Sequence, residues 1–153
     1  MQIEIISVGK PKSTWLQEGI DHYRQLASRY AQIDLTRVKE SSGSRGGETA
    51  RTEESARLQA RLDDKALTIL LDELGKQHDS FALAHLIERS KLKYSKIQFL
   101  IGGAFGVDET VRGQVKQNLS LSKLTLPHDL VQLFLLEQVF RGLSILAGSK
   151  YHK

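Results

Sequence analysis

Apolar residues recur along the chain with two periods, and these periods predict strands that alternate with helices. Residues 3–8 fit a strand that stops at Gly9-Lys10-Pro11. Residues 15–30 repeat apolar positions at three- and four-residue steps, which indicates a helix. Further strands are predicted at residues 33–38, 66–71, 97–101 and 119–126. Together these elements predict one α/β domain spanning residues 1–153, with a mainly parallel sheet flanked by helices.

The connections carry recognisable start and stop signals. Asp79 or Ser80 caps one predicted helix, and Asp108 opens a short one. Residues 41–47 are polar and rich in glycine, which predicts a mobile loop rather than a domain boundary. Residues 48–62 predict a helix whose arginines form a solvated outer face.

The last predicted helix, residues 130–146, is apolar on nearly every face. Its apolar positions are Leu130, Val131, Leu133, Phe134, Leu135, Leu136, Val139, Phe140, Leu143, Ile145 and Leu146. A single sheet covers only one face of a helix, so this pattern predicts a partner surface. Homodimerisation is the simplest way to supply it.

Composition excludes several classes of protein. The chain has no cysteine, and its five histidines have no metal-ligand spacing, so we expect neither disulfides nor a metal site. We expect no signal peptide, because the N-terminus has no basic region followed by an apolar core. We also expect no membrane helix, because no apolar run approaches about 18 residues. A cytoplasmic protein is the prediction. The net charge of +4 and the pI near 9.4 favour a polyanionic partner, although weakly.

Candidate chemistry gathers where predicted strands end, which is where open α/β sheets bind ligands. The segments are residues 71–73, the glycine loop 101–106 and residues 121–128. The loop's GGxxG spacing differs from the G-x-G-x-x-G dinucleotide fingerprint, and no GxxxxGK[ST] loop exists. A tight strand-to-helix turn is the alternative explanation for this loop.

Six motifs occur in order: ISVGK (residues 6–10), LDELGK (71–76), LIGGAFG (100–106), LSLSKLTLPHDL (119–130), EQVFRG (137–142) and YHK (151–153). In this order and spacing they closely resemble the bacterial 23S rRNA pseudouridine N3-methyltransferases, the small single-domain members of the SPOUT class. The resemblance covers the whole chain.

This resemblance implies a homodimer that binds S-adenosylmethionine in a C-terminal trefoil knot and methylates N3 of pseudouridine 1915 in 23S rRNA on the ribosome. Carried onto matching positions, the cofactor contacts fall on Leu71, Gly102, Leu121, Ser122, Lys123, Leu124, Thr125 and Leu126. Gly102, without a side chain, is expected to let the cofactor lie against the main chain. Core packing is the alternative role for the leucines.

An imide nitrogen is a poor nucleophile while protonated, so a base or a favourable field is expected near it. The candidates are His128, Arg141, Tyr151 and His152. Their alternative roles are a helix cap for His128, an ion pair with Glu137 for Arg141, and a frayed terminus for the other two. Two other classes stay open: a non-catalytic ribosome-associated RNA-binding protein, and a dinucleotide-dependent oxidoreductase, which the glycine spacing disfavours.

Overall fold

Strands and helices alternate along the chain in the computed structural model, which describes residues 1–42, 44 and 46–153. Gly43 and Arg45, in the predicted loop 41–47, lie outside the described residues. The elements are β1 (Gln2–Val8), α1 (Thr14–Ala27), β2 (Gln32–Val38), α2 (Gly47–Gln59), β3 (Leu67–Gln77), α3 (Ser80–Ser90), β4 (Lys96–Ile101), α4 (Glu109–Gln114), β5 (Gln117–Ser120) and α5 (His128–Leu146). The predicted α/β alternation is confirmed.

The five strands form one parallel sheet in the order β2-β1-β4-β3-β5. Its strands carry continuous apolar runs because helices cover both faces. On one face, α1, α3 and α5 pack around a core that includes Ile20, Ile87 and Leu135. On the other face, Leu58 of α2 and Val111 of α4 complete a smaller core.

Two strands differ in length from their predictions. β5 ends at Ser120, whereas the apolar pattern predicted a strand through residue 126. The Ser120 hydroxyl donates to the carbonyl of Ser122, and the Ser122 hydroxyl accepts from the amide of Leu124, so local turns replace strand pairing. β3 instead continues to Gln77, because its register shifts between Leu71 and Lys76 and pairing with β5 then resumes.

The apolar surface of α5 is larger than one sheet can cover, but Leu136 and Phe140 need no external partner. Both side chains are buried within the chain, because α1 and α3 cover α5 alongside the sheet. Small residues allow this close packing: a Cβ on Gly19 of α1 would lie 3.0 Å from Leu133 Cδ1. A narrower stripe of half-buried apolar residues stays open to solvent on α5, formed by Leu130, Phe134 and Ile145.

Helix starts follow the predicted caps. The Asp79 carboxylate accepts from the amide of Ala82 at 2.7 Å, and that of Asp108 accepts from Val111 at 3.1 Å. In the part of the chain that the structure describes, no helix is long and apolar enough to cross a membrane, and no cluster of potential ligands for a metal ion occurs.

Candidate cofactor pocket

A cavity of about 340 Å³ opens at the carboxyl end of β4, beside the middle of β3 where the pairing register shifts. Its wall comes from residues 70–73 within β3, from the segments that follow β4 and β5, and from the first turn of α5. Because β3 pairs in parallel with both β4 and β5, these segments lie together although they are far apart in sequence. The volume lies within the range of small-molecule sites in proteins.

The cavity gathers nearly all of the predicted cofactor positions. Its lining includes Leu71, Gly102, Leu121, Ser122, Leu124, Thr125 and Leu126. Lys123 is the exception, because its side chain is exposed and does not line the cavity. His128, a predicted catalytic residue, also lines the wall from the start of α5.

Charged groups stand on one side of the otherwise apolar wall. Arg112 of α4 forms an ion pair with Asp72, whose side chain is almost fully buried. The neighbouring Glu73 accepts a 3.3 Å hydrogen bond from the Thr125 hydroxyl, which ties β3 to the segment that follows β5. Sequence reasoning missed Arg112, because it pairs with a residue 40 positions earlier and no local pattern signals it.

The glycine loop after β4 is a tight turn. Gly106 adopts a φ of 70°, and its amide donates to the Gly103 carbonyl at 3.0 Å. A Cβ on Gly102 would lie 3.0 Å from Val107 Cγ1 and 3.1 Å from the Gly106 carbonyl carbon. Packing within the loop therefore disfavours a side chain at position 102, whereas the sequence suggested that a ligand is the reason for glycine there.

The other three predicted catalytic residues lie apart from the cavity and surround Glu137. We call Glu137, Arg141, Tyr151 and His152 the tail cluster. Arg141 Nε donates to Glu137 Oε1 at 3.0 Å, and the Tyr151 hydroxyl donates to the same oxygen at 3.0 Å. His152 Nδ1 lies 3.3 Å from an Arg141 guanidinium nitrogen. The predicted ion pair between Glu137 and Arg141 is confirmed.

Aromatic contacts fix the end of the chain onto the helices. The Tyr151 ring packs 4.5 Å from that of Phe140, and the His152 ring meets Phe81 edge-on at 4.9 Å. The Arg141 guanidinium lies over the Tyr151 ring, 4.7 Å from its centre. The alternative role of a frayed terminus for Tyr151 and His152 is therefore wrong.

Surroundings keep two members of the tail cluster protonated. Burial, followed by hydrogen bonding to Tyr23 and Glu137, raises the pKa of Tyr151. The hydrogen bond to Glu137 raises the pKa of Arg141. Near neutral pH these two side chains are a hydrogen-bond donor and a cation, and neither accepts a proton.

Position along α5 separates the tail cluster from the cavity. His128 is the first residue of α5, and Arg141 follows thirteen residues later. At the helical rise this spacing corresponds to about 20 Å along the axis. His128 and the tail cluster therefore lie at different places along α5 in one chain.

A parallel α/β fold with a small-molecule pocket at its strand ends defines a class of ligand-binding proteins that includes many enzymes. Residues 1–152 match the family described as predicted SPOUT methyltransferase. The chain is 36% identical over 153 residues to ribosomal RNA large subunit methyltransferase H of Geotalea daltonii, with 99% of each chain covered. It is 38% identical over 156 residues to the protein of that name from Pelotomaculum thermopropionicum, with 98% of each covered. The chain belongs to the SPOUT methyltransferase family.

Solved structures support the same fold. The chain is similar to a probable methylase family protein from Haemophilus influenzae, with a TM-score of 0.57 and 12% identity. That likeness covers 99% of this chain and 70% of the other. The methyltransferase resemblance of the sequence motifs is confirmed, while the trefoil knot stays a prediction.

Proposed function

We propose that this protein transfers the methyl group of S-adenosylmethionine to N3 of pseudouridine 1915 in 23S rRNA, in the cytoplasm. The observation that carries the proposal is the cavity at the strand ends. Its lining includes almost all of the positions that correspond to cofactor contacts in the family that this sequence resembles. The names of the full-length relatives support large-subunit rRNA as the substrate class.

Chemistry of the cavity wall fits S-adenosylmethionine. Leucines at 71, 121, 124 and 126 offer an apolar slot for adenine, while main-chain groups of the same segments offer hydrogen bonds to its edge. Asp72 is paired with Arg112, so Glu73 supplies the remaining negative charge on a wall that would face a cation. The bound cofactor supplies an electrophilic methyl group on a positively charged sulfur.

On the acceptor side, the pseudouridine imide must approach with its N3 free of a proton or in the course of losing it. His128 is the catalytic candidate that lines the cavity, and we assign to it contact with the acceptor base. Arg141 stays charged, so it suits stabilisation of an imide anion better than proton removal. His152 is the other imidazole available for a proton transfer.

We infer that the enzyme is a homodimer in which Arg141, Tyr151 and His152 of one copy complete the cavity of the other. The half-buried apolar stripe of α5, together with the exposed Trp15 at the start of α1, offers a surface for that contact. A mixture of two inactive variants tests this arrangement. Combining Gly102→Val, which damages the cavity, with His152→Ala, which damages the tail cluster, should restore methylation in mixed dimers. Light scattering that finds only monomers would exclude the arrangement.

Mapping of rRNA modifications by mass spectrometry tests the reaction itself. Ribosomes from cells without this protein should lack one methyl group on the pseudouridine, and purified protein with S-adenosylmethionine should restore it. The competing class, a non-catalytic ribosome-associated RNA-binding protein, predicts ribosome binding without a change in methylation. Calorimetry separates the classes further, because the methyltransferase binds S-adenosylmethionine and an oxidoreductase binds a nicotinamide dinucleotide.

A further inference from the structure

A carboxylate lies buried on the face of the sheet that α2 covers. Glu54, in the middle of α2, is only 3% exposed. Its Oε1 accepts a 2.9 Å hydrogen bond from the backbone amide of Ser41, in the connection between β2 and α2. Its Oε2 is also buried and has no hydrogen-bond partner among the described residues. Burying a carboxylate oxygen without a partner is costly, so this side chain needs an explanation beyond core packing.

The unpartnered oxygen lies against the main chain of the glycine loop. A Cβ built on Gly103 would overlap Glu54 Oε2 and would lie 3.1 Å from Glu54 Cδ and 3.2 Å from Val8 Cγ1. The carboxylate therefore occupies the space in which a side chain at position 103 would stand. Gly103 itself lines the cavity, so Glu54 supports part of the cavity wall from behind.

Two other residues of α2, Ser55 and Gly47, contact the chain that continues from Gly103. The Ser55 hydroxyl accepts a 2.9 Å hydrogen bond from the amide of Asp108, where the loop ends. Gly47, at the start of α2, packs under the ring of Phe105, with 2.6 Å from its ideal Cβ position to the nearest ring carbon. α2 thus contacts the glycine loop at its start, middle and end.

We propose that Glu54 is a positioning residue for the cofactor pocket, because its carboxylate sets the path of the glycine loop at Gly103. This inference rests on the proposed function, in which that loop contacts S-adenosylmethionine. Truncating Glu54 leaves a space behind the loop, which then samples other conformations. The cofactor must reorder the loop before it binds, and its affinity falls by roughly tenfold.

Calorimetric titration of the full-length protein with S-adenosylmethionine tests the inference. Glu54→Ala should weaken binding roughly tenfold. Glu54→Gln should retain affinity within about threefold, because it keeps the shape and the acceptor for Ser41. Glu48→Ala is the matched control on the same helix: its side chain is exposed, and wild-type affinity is expected.

A double-mutant cycle with Gly103→Ala tests the contact directly. Gly103→Ala alone should weaken binding, because its methyl group displaces the carboxylate. In Gly103→Ala/Glu54→Ala the methyl group occupies vacated space, so the combined loss should be smaller than the sum of the two single losses. Strictly additive losses would overturn the proposed contact.

Hydrogen exchange without cofactor gives a readout that is independent of activity and of the ligand. The amides of residues 102–108 should exchange faster in Glu54→Ala than in the wild type or in Glu48→Ala. Unchanged exchange in this loop would refute the positioning role, whatever the cofactor does. If the wild type binds no S-adenosylmethionine, the proposed function fails and the exchange experiment still decides the role of Glu54. If Glu54→Ala does not fold, Gly103→Ala carries the same test, because its methyl group displaces the carboxylate from the loop.

Discussion

Replacing Gly102 by alanine adds one methyl group at a crowded point of the predicted cofactor loop. The new Cβ would lie 3.0 Å from Val107 Cγ1, 3.1 Å from the Gly106 carbonyl carbon and 3.2 Å from the Gly106 oxygen. Carbon atoms in good contact stand roughly 3.5–4.0 Å apart. Two of the three atoms belong to the backbone, so rotation of a side chain cannot relieve the overlap.

The magnitude follows from two opposing contributions. Overpacking of this kind costs about 1–3 kcal/mol, because neighbouring atoms must shift. Reduced freedom of the unfolded chain returns roughly 0.4–1 kcal/mol when glycine becomes alanine. The balance is a loss of about 1–2 kcal/mol. If the folded loop absorbs it by changing shape, the affinity for S-adenosylmethionine falls by a factor of about 5–30.

Two measurements on the same protein sample locate that loss. Calorimetric titration gives the affinity for S-adenosylmethionine, and urea denaturation gives the free energy of unfolding. Gly113→Ala in α4 is the matched control, because nothing lies within 4 Å of its ideal Cβ position. We expect that control to bind normally and to be as stable as the wild type or slightly more so. A Gly102→Ala protein with wild-type affinity and wild-type stability would refute the packing explanation.

Other substitutions examine the tail cluster, the hydrogen-bonded Glu4 of β1 and the buried Leu136 of α5. His152→Ala should abolish methylation of ribosomes, while its cofactor affinity and melting temperature stay near those of the wild type. Deletion of residues 151–153 should also lower the melting temperature, because Tyr151 packs on Phe140. Normal methylation by His152→Ala would remove His152 from the mechanism. Burial raises the pKa of Glu4, but hydrogen bonds from Thr36 and Gln98 and the charge of Lys96 outweigh it and hold the pKa below 4.5. The ionised Glu4 therefore stabilises the fold above pH 4.5, and this stabilisation is lost as the pH falls through the pKa of the folded protein. Below pH 4.5 the melting temperature of Glu4→Gln should fall less steeply with pH than that of the wild type; equal slopes for the two proteins would contradict this prediction. Leu136→Ala should lower the free energy of unfolding, measured by urea denaturation, by about 2–5 kcal/mol, because the side chain is fully buried within one chain. A loss of stability that appears only at concentrations where the protein dimerises would contradict this prediction.

Much of the candidate pocket is readable from the sequence, because its parts are local. The leucines and glycines that follow the strands occupy contiguous segments, and parallel strands bring such segments to one edge of the sheet. The pairing of Arg112 with Asp72 and the support of Gly103 by Glu54 are different in kind. Each of these contacts joins segments about forty or more residues apart. The sequence around Arg112 or Glu54 contains no local pattern that indicates its partner.

By itself, the sequence determined the alternation of strands and helices and the caps at Asp79 and Asp108, because apolar period and local hydrogen bonding act over a few residues. Only the tertiary structure decided how α5 is covered. An apolar helix needs burial on several sides, but its composition does not say whether a second chain or neighbouring helices provide it. Here α1 and α3 bury Leu136 and Phe140, and only a narrow half-buried apolar stripe remains on α5. The tertiary structure also placed Tyr151 and His152 beside Arg141, because the path of the chain after α5 depends on their ring contacts with Phe140 and Phe81.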